Sequence, residues 1–120
     1  MSIDRTEQEP AVRALTELMA VLDTCMTELG GARARAEKLL EERQTGRTWL
    51  DIVTAESRPL VVEQLSSVMA ALASAGGAWR REQAYALASE QVSINRIAAM
   101  FGVTRQRISA LLRERARTAG

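Results

Sequence analysis

Five residues near the C-terminus, Thr104, Arg105, Gln106, Ser109 and Arg113, share a capacity for directed hydrogen bonding. An Arg guanidinium presents parallel donors that fit the acceptors of guanine, a Gln amide matches the donor and acceptor of adenine, and a Ser hydroxyl serves either. This group could read base edges. It could also be an ordinary solvated helix face, the plainer explanation for polar side chains at a surface. Catalysis finds no comparable set. The chain has no His, a single Cys and no glycine loop to cradle phosphate, so no active site and no metal ligand set assemble, and neither an enzyme nor a cofactor is expected.

The elements that must position these residues are legible just upstream. Ser93 is suited to cap a helix in which Ile94, Ile97, Ala98 and Phe101 recur on one face. Gly102 follows and can take the positive φ that stops a helix. Thr104 is then a natural cap for a second helix with Ile108, Leu111 and Leu112 on its apolar face. Val103 plugs the turn, and Ala98 is small where two steeply crossing helices approach closely. Packing accounts for these apolar positions. It leaves Thr104, Arg105, Gln106, Ser109, Ala110 and Arg113 on the outer side and N-terminal end of the second helix.

The stretch from Ile94 to Arg113 resembles the helix-turn-helix superfamily of DNA-binding proteins. Ala98, Gly102 and the apolar residues Ile97, Phe101, Val103, Ile108 and Leu111 fall where that family has its small residue, turn glycine and core. The segment FGVTRQRIS is similar to the last helix-turn-helix of bacterial sigma factors and of small regulators related to it. Gln106 stands where sigma factors usually carry an acid, and nothing upstream looks like their polymerase-binding helices, so a sigma-factor role is not implied. The resemblance implies a three-helix unit, completed by a support helix from about Trp79 to Ser89 with Ala84, Leu87 and Ala88 inward, whose last helix enters a major groove. Thr104, Arg105, Gln106, Ser109 and Arg113 are then the expected base contacts. Arg80, Arg81, Ser93, Arg96, Arg107, Arg115 and Arg117 are the expected phosphate contacts, although any one of these arginines alone is an unremarkable surface residue.

Charge is distributed to match. The formal net charge is +1, yet Met1 to Ala78 carries 8 basic and 12 acidic residues while Trp79 to Gly120 carries 8 basic and 3 acidic. All eight of the C-terminal cations are Arg, the residue suited to bidentate contact with phosphate and guanine; with Lys38 as the one lysine, a GC-rich genome is an equally simple source of that bias.

An all-α fold is expected across the chain, because aromatics make up 3% of it and no stretch sustains apolar–polar alternation. Residues 1–9 read as a disordered tail, 10–77 as a helical dimerisation or interaction segment, and 78–120 as the helix-turn-helix domain. From Pro10 the apolar residues Val12, Leu15, Met19, Leu22, Met26 and Leu29 advance by threes and fours, widened by Leu18, Val21 and Cys25, until Gly30-Gly31 ends the helix. Val12, Leu15, Leu18, Met19, Leu22, Met26 and Leu29 are the expected dimer interface.

A second helix follows from Ala32 to Gln44, and a short one from about Thr48 to Glu56 presents Trp49, Ile52 and Val53 on one side. After Pro59 a fourth helix offers a broad face of Leu60, Val61, Gln64, Leu65, Val68, Met69 and Leu72 and closes at Gly76-Gly77, the expected domain boundary. Met19, Met26, Met69 and Met100 read as core fillers, Trp49, Trp79 and Tyr85 as packing aromatics, and Cys25 as a buried structural thiol.

These features lead to a sequence-specific, double-stranded DNA-binding regulator acting as a homodimer. A protein–protein adaptor for RNA polymerase or a sigma factor, and a non-specific nucleoid protein, are the alternatives. With no run of about 18 apolar residues and no basic start leading into an apolar run, a cytoplasmic, nucleoid-associated protein without a membrane partner is expected.

Overall fold

A computed structural model of the chain describes residues 9–119, and within them the fold is wholly helical. The elements are α1 (Pro10–Gln44), α2 (Trp49–Ala55), α3 (Val61–Ser89), α4 (Ile94–Phe101) and α5 (Arg105–Ala119). The tail expected over residues 1–9 lies outside the described residues apart from Glu9. No described helix is long and apolar enough to cross a membrane.

Two expected helix ends are absent. α1 runs unbroken through Gly30-Gly31 and α3 through Gly76-Gly77, so the two pairs of helices read on either side of each glycine pair are single helices. The cause is phase. Cys25 and Ala32, seven residues apart, are both buried on α1, as are Val68 and Ala75 on α3, so one inward stripe continues across each glycine pair. A glycine inside a helix costs about 1 kcal/mol relative to Ala, which continuous packing on both sides offsets.

The true ends of α1 and α3 share one closure. At the end of α1, Gly46 at φ +99 donates its N–H to the Arg43 carbonyl (3.0 Å) while the Arg47 N–H reaches Glu42 (3.3 Å). At the end of α3, Gln91 at φ +70 and Val92 repeat the pattern onto Ala88 and Leu87, both at 3.1 Å. Such paired 5→2 and 6→1 bonds satisfy the last carbonyls of a helix and need one left-handed residue.

The chain resolves into two compact units, residues 20–73 and, among the described residues, 9–19 with 74–119. The division thus falls at 73/74 instead of 77/78, and the first turns of α1 group with the C-terminal residues. In the 20–73 unit, Arg35 ties the loop before α3. Its guanidinium donates to the carbonyls of Pro59 (2.6 Å) and Ser57 (2.7 Å) and lies 3.7 Å from the Glu56 carboxylate. The Gln64 amide donates to the Glu28 carbonyl (3.3 Å) and accepts from Arg35 (3.4 Å), which fixes α1 and α3 as antiparallel in this unit. Thr48 caps α2 by accepting the Asp51 N–H at 3.1 Å.

Burial corrects several expectations. Leu18 and Val21 are half-buried and Cys25 is buried, so they form an inward stripe distinct from the exposed Leu15, Met19, Leu22, Met26 and Leu29. Met19, Met26, Met69 and Met100 are all exposed, by 59–70%, and do not fill a core. On α2 only Ile52 is buried, while Trp49 and Val53 face solvent with Trp49 under the Arg43 guanidinium at 5.5 Å. Leu65 and Met69 of α3 are likewise exposed, although Val68 between them is buried.

Candidate nucleic-acid interface

A single core holds the end of α3, α4 and α5 together. Ala84, Ile97, Ala98, Ile108 and Leu111 are buried in it, with Leu87, Ala88, Val92, Ile94, Phe101, Val103 and Leu112 packed around them. Alanine at positions 84 and 98 keeps these backbones close, because both side chains are enclosed and a longer one would have to displace its neighbours.

The turn between α4 and α5 is set by its own hydrogen bonds. The Ser93 hydroxyl accepts the Arg96 N–H at 3.2 Å and starts α4. Gly102, at φ 68 and ψ 33, closes it: its N–H meets the Ala99 carbonyl at 3.3 Å and that of Val103 meets Ala98 at 3.0 Å. The Thr104 hydroxyl then accepts the Arg107 N–H at 3.1 Å and opens α5. Thr104 is therefore spent as a cap, and its methyl and remaining lone pair stay at the surface.

On α5 the helical period sorts the polar residues. Ile108, Leu111 and Arg115 fall on the inward line, at steps of three and four. Gln106, Arg113 and Arg117 project on the opposite side, with Arg105 and Arg107 to either flank. Thr104, Arg105, Gln106, Arg107 and Arg113 are exposed, and Ser109 and Ala110 are half-buried along the same edge. Among the described residues none of Arg96, Arg105, Gln106, Arg107 and Arg113 has a side-chain hydrogen bond or ion pair within the chain. The outer edge is thus a row of unengaged donors on a helix anchored to the core by Ile108 and Leu111.

One of the expected phosphate ligands is used differently, and a second is partly withdrawn from the surface. Arg115 is largely buried; its Nε donates to Glu82 Oε1 at 3.2 Å and its guanidinium lies 3.9 Å above the Tyr85 ring. It fastens α5 to α3, and its side chain is not offered to a ligand. The sequence held the signal, since position 115 lies four after Leu111 and seven after Ile108. Arg81 is half-buried, with its Nε enclosed and without a hydrogen-bond partner. Arg80 is exposed on α3, Ser93 and Arg96 at the start of α4, and Arg117 on α5. Glu82 and Tyr85, which the motif did not mark, complete the fastening.

Among the described residues no group of three or more His, Cys, Asp or Glu side chains is placed to hold a metal ion. Compared with family models, with curated proteins and with solved structures, the chain matches none.

Proposed function

We propose that the protein binds double-stranded DNA in a sequence-selective way as a homodimeric transcriptional regulator, with α4 and α5 acting as a helix-turn-helix and α5 lying in the major groove. The observation that carries this reading is the outer edge of α5. A helix whose large apolar residues Ile108, Leu111 and Leu112 are buried in or packed against the core, and whose exposed donors have no partner of their own, is pre-organised for a ligand with acceptors spaced along a groove. Arg105 and Gln106 occupy its first turn, the part of a recognition helix that reaches base edges, and Arg113 continues the row. Arg96, Arg107 and Arg117 supply backbone contacts that fix register without reading sequence. Arg115 belongs to the scaffold in this account.

Substitution of Arg105 and Gln106 by Ala tests it. Each bidentate base contact is worth about 1–3 kcal/mol of discrimination, so the double variant should lose roughly 10²-fold or more in preference for its best site over unrelated duplex. Its residual binding should still weaken steeply with salt. An unchanged preference would remove α5 from the reading role. Uniform loss on every duplex would assign the edge to phosphate contact alone, the property of a nucleoid-coating protein.

A further inference from the structure

Among the large apolar side chains that the 20–73 unit leaves exposed, six form two lines on α1 and α3. Leu22, Met26 and Leu29 on α1 are 43%, 70% and 41% exposed, and Val62, Leu65 and Met69 on α3 are 67%, 40% and 69% exposed. Both sets advance by steps of three and four, which keeps each on one line of its helix. On each helix this line is rotated in the same sense, by about 80° on α1 and about 110° on α3, from the inward line through Cys25 and Ala32 or through Gln64 and Val68. Because the two helices are antiparallel here, rotations of the same sense carry both lines to one side of the pair. The hydrogen bond from Gln64 to Glu28 sets their register. Leu29 then stands level with Val62, Met26 with Leu65, and Leu22 with Met69.

We infer that this face is closed by a second copy of the chain, giving a four-helix bundle from two α1–α3 pairs. Three layers of two apolar residues, with the middle layer on a two-fold axis, are self-complementary: the Leu22 and Met69 layer of one chain meets the Leu29 and Val62 layer of the other. Charge selects the same partner. No charged residue occurs from Gln64 to Trp79, and none lies between Asp23 and Glu28 on α1, so an acidic or basic surface would be desolvated against this face without compensation. Area agrees. Six side chains exposed to this extent present on the order of 500 Å² per chain, so two copies cover about 1,000 Å², the lower bound for a specific interface. The inference deepens the regulator reading by locating the dimer seam, and it adds Val62, Leu65 and Met69 of α3 to a surface that α1 alone was expected to form.

The mass of the full chain in solution, followed through a micromolar dilution series by sedimentation equilibrium, tests it with no DNA present. The unmodified chain should sediment at twice its 13.2 kDa. Met26→Glu combined with Met69→Glu should weaken self-association by more than ~100-fold, since each places a charge in an uncharged seam. Leu50→Glu, an exposed apolar position on α2 at 78%, should leave the dimer intact. A monomeric unmodified chain would overturn the inference, as would a double variant that stays dimeric with its helix content unchanged. If the Glu pair loses helix content, the milder Met26→Gln with Met69→Gln decides by the same two outcomes. Arg105→Ala with Gln106→Ala should not alter the mass, so failure of the DNA reading and failure of the dimer seam are told apart.

Discussion

The two compact units leave opposite kinds of chemistry uncovered. In the 20–73 unit the inward stripe of Cys25, Ala32, Ile52 and Val68 is closed, and beside the charged residues of its surface an apolar line stays uncovered on each long helix: Leu22, Met26 and Leu29, and Val62, Leu65 and Met69. In the core of α4, α5 and the end of α3 the large aliphatic side chains are enclosed or packed against the cluster, and what remains outside on α5 is Arg and Gln. Surplus apolar surface is satisfied by apolar surface, and unengaged guanidinium and amide donors by acceptors. The contrast therefore separates the two proposals: protein against protein in one unit, protein against nucleic acid in the other.

The same contrast runs across α5 itself, where Arg113 and Arg115 are two residues apart and serve different ends. The largest effect should come from the inward one. Glu82→Ala removes the carboxylate that accepts from the largely buried Arg115 guanidinium, and should cost about 1.5–3 kcal/mol in denaturant unfolding, the worth of a hydrogen bond to a charged group. A cost below about 0.5 kcal/mol would show that Arg115 is not part of the scaffold.

The turn should come next. Gly102→Ala meets no neighbouring atom but places a Cβ at φ +68, a strain of about 1–2 kcal/mol that should lower Tm. Gly31→Ala, with equally open surroundings and no left-handed φ, should act in the other direction and raise stability by about 0.5–1 kcal/mol. Destabilisation at position 31 would mean that α1 does break there. The smallest effect on folding should be that of Arg113→Ala, within about 0.5 kcal/mol, while the slope of log binding constant against log salt falls by about 1 if Arg113 meets a phosphate. An unchanged slope with relaxed base preference would make it a base contact.

How much of this was legible in the sequence depended on how local the cause was. Ser93, Gly102 and Thr104 act through hydrogen bonds within a few residues, and Ile97, Ala98, Ile108 and Leu111 pack across one short turn, so their roles could be read in order along the chain. The glycine pairs misled because composition was weighed over phase: Cys25 to Ala32 and Val68 to Ala75 carry a continuous seven-residue step across them. Gly46 and Gly102, where the stripe does stop, are the glycines at positive φ. Arg115 shares its residue type with the outward arginines, but its spacing of four from Leu111 and seven from Ile108 is that of an inward residue. The exposed methionines were a different matter. Periodicity identifies an apolar line on a helix but not what covers it, and α1 and α3 each carry two such lines, of which the chain buries one.

Selection of binding sites from random duplex DNA by the unmodified full-length chain bears most directly on the outer edge of α5. A helix in the major groove, presented twice by a two-fold dimer, should recover a recurring motif of inverted half-sites about one helical turn apart, roughly 10 base pairs between centres. Recovery of sequences with no shared motif, from a chain that remains folded, would contradict the assignment of Arg105 and Gln106 to base recognition.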